Sequence, residues 1–167
     1  MCKAIFITGV SGAGKSTIGR LLSEAINIPF FDGDDYHSMD NKNKMSQGIP
    51  LNDQDRRGWL ETINALAKQE IKKKGCVIAC SALKQNYRNL LTLEITNNTI
   101  FVFLEGSFEL IQDRMKQRTG HFMPISLLKS QFEILEIPKN VFTISIKKPP
   151  NEIVQQIKRH LQNQVAG

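Results

Sequence analysis

Short apolar runs alternate with stretches of helical period along the whole chain. Residues 3–8 form the first run, β-branched and apolar, and read as a buried strand. Ile18, Leu21, Leu22, Ala25 and Ile26 then recur at helical spacing, so a helix starts at about Lys15. Asn27-Ile28-Pro29 closes it, because proline disfavours helix in the residue before it. Residues 29–31 predict a short second strand. Residues 36–54 are polar, rich in Gly and Asn, and without sustained period; they predict a mobile flap with room for a short helix.

Asn52-Asp53 can cap the next helix, whose inner face carries Trp59, Leu60, Ile63, Leu66, Ala67 and Ile71. Lys72-Lys73-Lys74 before Gly75 reads as its basic last turn and stop. Residues 76–80 predict a third strand, followed by a helix to about Leu93, and residues 99–104 a fourth. Ser107 caps a helix with Phe108, Ile111 and Met115 facing inward, while Arg114 and Arg118 share another face at i, i+4. Residues 119–138 interrupt the alternation with a Gly/His/Pro loop and a short amphipathic helix. Residues 141–146 predict the fifth strand, and Ile153, Val154, Ile157 and Leu161 stripe a last helix. Strands alternating with helices imply an α/β fold with a parallel sheet and right-handed crossovers. The interruptions at about 35–55 and 119–138 are where such a fold carries a substrate flap and a lid.

At 167 residues the chain reads as a single domain, 1–167, with an ordinary apolar share of 41%. No apolar run approaches the eighteen or so residues of a membrane span, and no signal peptide precedes the first strand. Cys2, Cys76 and Cys80 are odd in number and match no zinc spacing, which favours a reduced, cytoplasmic setting. The net charge of +6 is not gathered into an aromatic-rich patch, so a small polyanionic ligand suits it better than nucleic acid.

Between the first strand and the first helix stands Gly9-Val10-Ser11-Gly12-Ala13-Gly14-Lys15-Ser16, with Thr17 after it. The spacing is that of the phosphate-cradling P-loop, G-x-x-x-x-G-K-[ST], and it lies at a helix N-terminus. The glycines let the backbone approach β- and γ-phosphates, Lys15 adds a point charge, and the Ser16 hydroxyl can ligate Mg²⁺. Such a chain binds a nucleoside triphosphate. A guanine-reading Asn-Lys-x-Asp run is absent, and the third strand ends Cys80-Ser81 without the acid a motor ATPase carries there. The acids follow the second strand instead, as Asp32-Gly33-Asp34-Asp35. In open α/β sheets ligands bind beyond the carboxyl ends of strands, so these acids face the phosphates and an acceptor. A small kinase needs an anchor for Mg²⁺ and an acceptor for the attacking hydroxyl's proton. We expect Asp32 in the first role and Asp34 in the second.

The sequence resembles the P-loop gluconokinases, relatives of shikimate and nucleoside-monophosphate kinases, over nearly its whole length. The resemblance rests on residues 9–17, 32–37, 48–56 with Trp59-Leu60, 80–84 with Tyr87-Arg88, and Gly120-His121-Phe122-Met123-Pro124 with Leu127-Leu128, Ser130-Gln131-Phe132 and Leu135-Glu136-x-Pro138. It implies a three-layer α/β/α P-loop NTPase fold with a five-stranded parallel sheet, and transfer of the ATP γ-phosphoryl group to the 6-hydroxyl of D-gluconate. By similarity, Arg114 would lie near the adenine, Arg118 would reach the phosphates as a catalytic group with Lys15, and residues 147–150 would face the base. A polyol carboxylate needs a cation and several hydrogen-bonding groups. Arg56 and His37 are the first candidates, then Lys84 and Arg88, with His121 in the lid. Related kinases are often dimers, so a homodimer is one candidate assembly. A shikimate- or nucleotide-type kinase of the same fold is the alternative, and a non-catalytic nucleotide-binding module a more distant one.

Overall fold

The computed structural model describes residues 2–117 and 124–166. Five parallel strands, β1 (Ala4–Thr8), β2 (Phe30–Asp32), β3 (Cys76–Ala79), β4 (Thr99–Glu105) and β5 (Phe142–Ser145), stand in the order β2-β3-β1-β4-β5. Among the described residues seven helices connect and cover them: α1 (Lys15–Ile26), α2 (Met39–Ser46), α3 (Asp53–Ile71), α4 (Gln85–Leu91), α5 (Phe108–Gln117), α6 (Ile125–Ile134) and α7 (Pro150–Ala166). The central strands are buried along their length, as a sheet covered on both faces requires.

The crossover from β1 to β2 runs one way along the sheet, and those from β2 to β3 and β3 to β4 run the other. Right-handed crossovers in opposite directions place their helices on opposite faces. So α1, packed on α7, covers one face, and α3, packed on α4, covers the other. Between β1 and β3 the connections leave in opposite directions, which opens a crevice at the carboxyl ends. Gly9 N–H donates to Ser81 O across it, 3.4 Å, joining the loops that follow β1 and β3. Asp32 pairs with Ala79, and Ala79 with Ile7, so the end of β2 is level with the start of the P-loop.

The flap carries the short helix that the sequence left room for: a 3-10 turn at Gly33–Tyr36 leads into α2, and Ser38 Oγ caps it by accepting from Asn41 N–H. The one residue α2 buries is the polar Asn41, so no apolar stripe announced the helix. The helix after β3 stops at Leu91 rather than Leu93, and a 3-10 turn at Thr96–Asn98 leads into β4. Among the described residues no helix is long and apolar enough to cross a membrane. Cys76 and Cys80 are buried free thiols, each pushed up to about 12, chiefly by burial.

Candidate functional site

The P-loop closes over the N-terminus of α1. Gly14, the residue before the helix, sits at φ 96°, and nothing lies within 4 Å of where its Cβ would be. That open space beside a left-handed backbone is a cradle a side chain would occupy. No side chain caps α1, and no acid stands in its first turn, so the N–H groups of Ser16 and Thr17 are left for an anion. Lys15 folds back and donates to Val10 O at 2.9 Å. Ser16 Oγ donates to Asp32 Oδ2 at 2.5 Å. Asp32 Oδ1 accepts from Asp34 N–H at 3.1 Å, fixing the acid turn. Gly33 belongs between the two acids because a Cβ there would come within 2.5 Å of Ala79 O. A cleft of about 510 Å³ lies over this loop, lined by Gly14, Lys15, Ser16, Thr17, Asp32 and Asp34 among others.

A second, narrower cavity of about 70 Å³ adjoins the cleft, and Ser11, Lys15 and Asp34 line both. Its further walls include His37, Arg56, Trp59, Ser81, Ser130 and Gln131. Arg56 lies in the first turn of α3 at 7% exposure, its carbon Cζ 5.4 Å from the Tyr87 ring centre. Its Nε is buried without a partner, and among the described residues no oxygen accepts from this guanidinium. A buried cation left this way is costly unless a ligand supplies the anion. Loss of water between the cleft walls raises the Asp34 carboxyl; the Lys15 ammonium pulls it back, and Asp32 and Asp35 push it up further. Its side chain is still 75% accessible, so part of that rise is screened in the open cleft and returns when ligands displace the water.

His37 stacks on Trp59, ring centres 4.1 Å apart, and Trp59 Nε1 donates to Gly33 O at 2.7 Å. Burial first, then the charges of Arg56 and Lys42, lower the His37 pKa to about 4. A depressed histidine pKa stabilises the fold above the ordinary 6.5, and that contribution is lost as pH falls from there toward 4. We therefore expect His37→Asn to flatten the acid loss of stability, which reaches up to about 3 kcal/mol in the parent chain. Urea midpoints between pH 4 and 7 measure it, and parallel curves for parent and variant would refute it.

The other candidate residues fall elsewhere. Lys84 is held away from the cavity by Asp53, 2.8 Å from its Nζ, and Tyr87 Oη donates to the same carboxylate. Arg88 is 4% exposed but turns back on its own helix start, donating to Ala82 O at 2.8 Å and Gln85 Oε1 at 3.2 Å. It holds the 82–85 turn and borders a separate groove of about 570 Å³ beside Thr99, Phe142 and His160. Lys84 and Arg88 are thus engaged by Asp53 and by local carbonyls, and neither lines the cavity beside Arg56. Arg114 donates to Ile146 O, which leaves it beside the end of β5 and outside the phosphate cleft. Arg118 and His121 lie outside the described residues.

Gln131 was missed as a contact. Its Oε1 accepts from Ser11 N–H at 2.8 Å and its Nε2 donates to Ser11 Oγ at 3.0 Å, tying α6 to the P-loop. Polar Ser130-Gln131 beside the buried Leu127 and Leu128 was the available signal.

The comparisons with known proteins agree with this geometry. The shikimate kinase family profile matches residues 11–162. A gluconokinase of Arabidopsis thaliana is 42% identical over 176 aligned positions, covering 96% of this chain and 93% of its own. The chain belongs to the gluconokinase family. The crystal structure of a gluconokinase from Sinorhizobium meliloti superposes with a TM-score of 0.84 at 40% identity, covering 97% of each chain. A shikimate kinase from Aquifex aeolicus, at 22% identity, TM-score 0.62 and 98% and 99% coverage, shares the fold. These are P-loop kinases, and the five-stranded parallel sheet with its flanking helices is their architecture.

Proposed function

We propose that this gluconokinase-family chain transfers the γ-phosphoryl group of ATP to the 6-hydroxyl of D-gluconate, giving 6-phosphogluconate and ADP. The observation that carries the reading is Arg56, a buried cation without a protein acceptor among the described residues, in a cavity that opens onto the P-loop cleft. One carboxylate matches one such guanidinium, which can bind it bidentately. A monophosphate acceptor would call for more arginines, and the neighbouring Arg57 points outward at 73% exposure to pair with Glu61.

Phosphoryl transfer asks the protein mainly for positioning and charge compensation. The leading N–H groups of α1 and the Lys15 ammonium meet the phosphates. Ser16 and Asp32 supply two hard oxygens at hydrogen-bond distance, a fit for Mg²⁺, which takes few protein ligands alongside phosphate oxygens and water. When bound, the ion compensates phosphate charge. Asp34 stands where the two cavities meet and accepts the proton of the attacking hydroxyl. The hydroxyl oxygen forms the new P–O bond while the bond to the ADP oxygen breaks. Arg56 holds the carboxylate at the far end of the acceptor, and His37, Ser81 and Ser130 face its hydroxyls. Arg114, Arg118 and His121 stand as lid-side contributions of this reading, and a cytoplasmic setting accords with the free buried thiols.

Coupled ADP release with Mg-ATP tests it, with D-gluconate beside shikimate, AMP and no acceptor. We expect release that depends on gluconate. Release with shikimate or AMP alone would overturn the acceptor assignment while leaving the P-loop chemistry intact.

A further inference from the structure

Among the described residues, His37 is the one ring in the acceptor cavity that could act as donor or as base, and its neighbour on α2 decides which. Asn41 is 4% exposed. Its Nδ2 donates to Asp55 O at 2.7 Å, which fixes the amide's orientation, since an amide oxygen there would face a carbonyl oxygen. The same Nδ2 lies 3.3 Å from His37 Nδ1. An amide nitrogen has two hydrogens and no acceptor lone pair, so the second hydrogen points at Nδ1, which must carry the lone pair. The ring proton is then on Nε2, which lies 3.9 Å from Asp34 Oδ1 on the cavity side.

We propose that Asn41 is a positioning residue that locks His37 as the Nε2–H tautomer, so that the ring offers the acceptor cavity a hydrogen-bond donor and never a base. The choice of acceptor rests on the proposed function; the lock itself does not. The groups facing His37 agree with a neutral ring. Arg56 and Trp59 approach from α3 and Lys42 from α2, with Asp34 across the turn. Asp55, whose backbone carbonyl holds Asn41, has its carboxylate engaged by Lys44 at 2.6 Å. With His37 committed to donation, Asp34 is, among the described residues, the only carboxylate lining the cavity that can take the hydroxyl proton. His37 then donates to a lone pair of an acceptor hydroxyl, a contact that a ring protonated on Nδ1 could not make.

Nitrogen-15 NMR of histidine-labelled protein at pH 7 reads the tautomer directly. We expect Nδ1 of His37 at the shift of an unprotonated nitrogen and Nε2 at that of a protonated one; the reverse pattern or an averaged pair would overturn the lock. Asn41→Leu removes both hydrogen bonds at similar volume. There we expect averaged ring shifts and a KM for D-gluconate raised roughly five- to tenfold, with the KM for ATP within about twofold. Unchanged shifts and KM in that variant, or both KM values rising together, would overturn the positioning role. Should Asn41→Leu not fold, the parent spectrum alone decides the lock. If the parent chain does not turn over gluconate, the proposed function falls and the spectrum still stands as the test of the tautomer.

Discussion

Asp34→Asn lowers kcat by about two to four orders of magnitude, the usual contribution of a positioned base, while ATP binding survives. In free energy that is about 3–5.5 kcal/mol of transition-state stabilisation. Asparagine keeps the size and the polar contacts but cannot accept a proton. The side chain is largely exposed in the open cleft, so folding is barely touched. On the proposed reading the phosphates are held by the N-terminus of α1, Lys15 and Ser16, and none of these donates a hydrogen bond to the Asp34 side chain in the contacts described above. Turnover in a coupled assay, with the affinity for ATP measured by calorimetry, separates the two quantities. Near-normal turnover would remove Asp34 from the mechanism. Loss of ATP binding would instead make it part of the phosphate site.

Arg56→Met has the second largest effect, and its two readouts move in opposite directions. The KM for gluconate rises by at least about a hundredfold, because charge-assisted hydrogen bonds to a carboxylate are worth roughly 1.5–3 kcal/mol each. Stability holds or rises by about 1 kcal/mol, since a buried guanidinium with no protein acceptor among the described residues costs more than an apolar chain of similar length. A site residue that weakens its own fold is one whose partner arrives with the ligand. Steady-state kinetics and a urea denaturation curve decide it. Normal KM would show that the carboxylate binds elsewhere, and a strongly destabilised variant would make Arg56 a structural cation.

The contrast between Arg56 and Arg88 shows how far residue type alone can be read. Both are arginines near the start of a helix, both are buried, and both keep an unpartnered Nε. Arg88 follows a turn whose carbonyls at Ala82 and Leu83 point back at it, and it satisfies them. Arg56 follows Asn52, whose capping box with Asp55 already closes the helix start, so its guanidinium is left for the cavity. The difference lies in which backbone groups remain unpaired after folding, and no spacing along the chain records that. Lys84 follows the same logic, since Asp53 is 31 positions away in sequence and within hydrogen-bond distance in space.

Local regularities carried the rest. The P-loop was legible because G-x-x-x-x-G-K-[ST] between a strand and a helix constrains backbone, charge and hydroxyl together within eight residues. The five strands and the main helices were legible because burial against a two-sided sheet imposes its period on the apolar residues. The acids at 32 and 34 were legible because they end a strand, and strand ends are where an open sheet binds ligands. The tertiary structure alone decided that α2 forms around a buried Asn41, that Gln131 grips Ser11 from 120 positions away, and that Arg56 rather than Arg88 lines the cavity beside the P-loop cleft. Each of these is a pairing between polar groups brought together by packing. Polar partners leave no periodic trace along a chain, so they become visible only once the sheet and helices have set the distances.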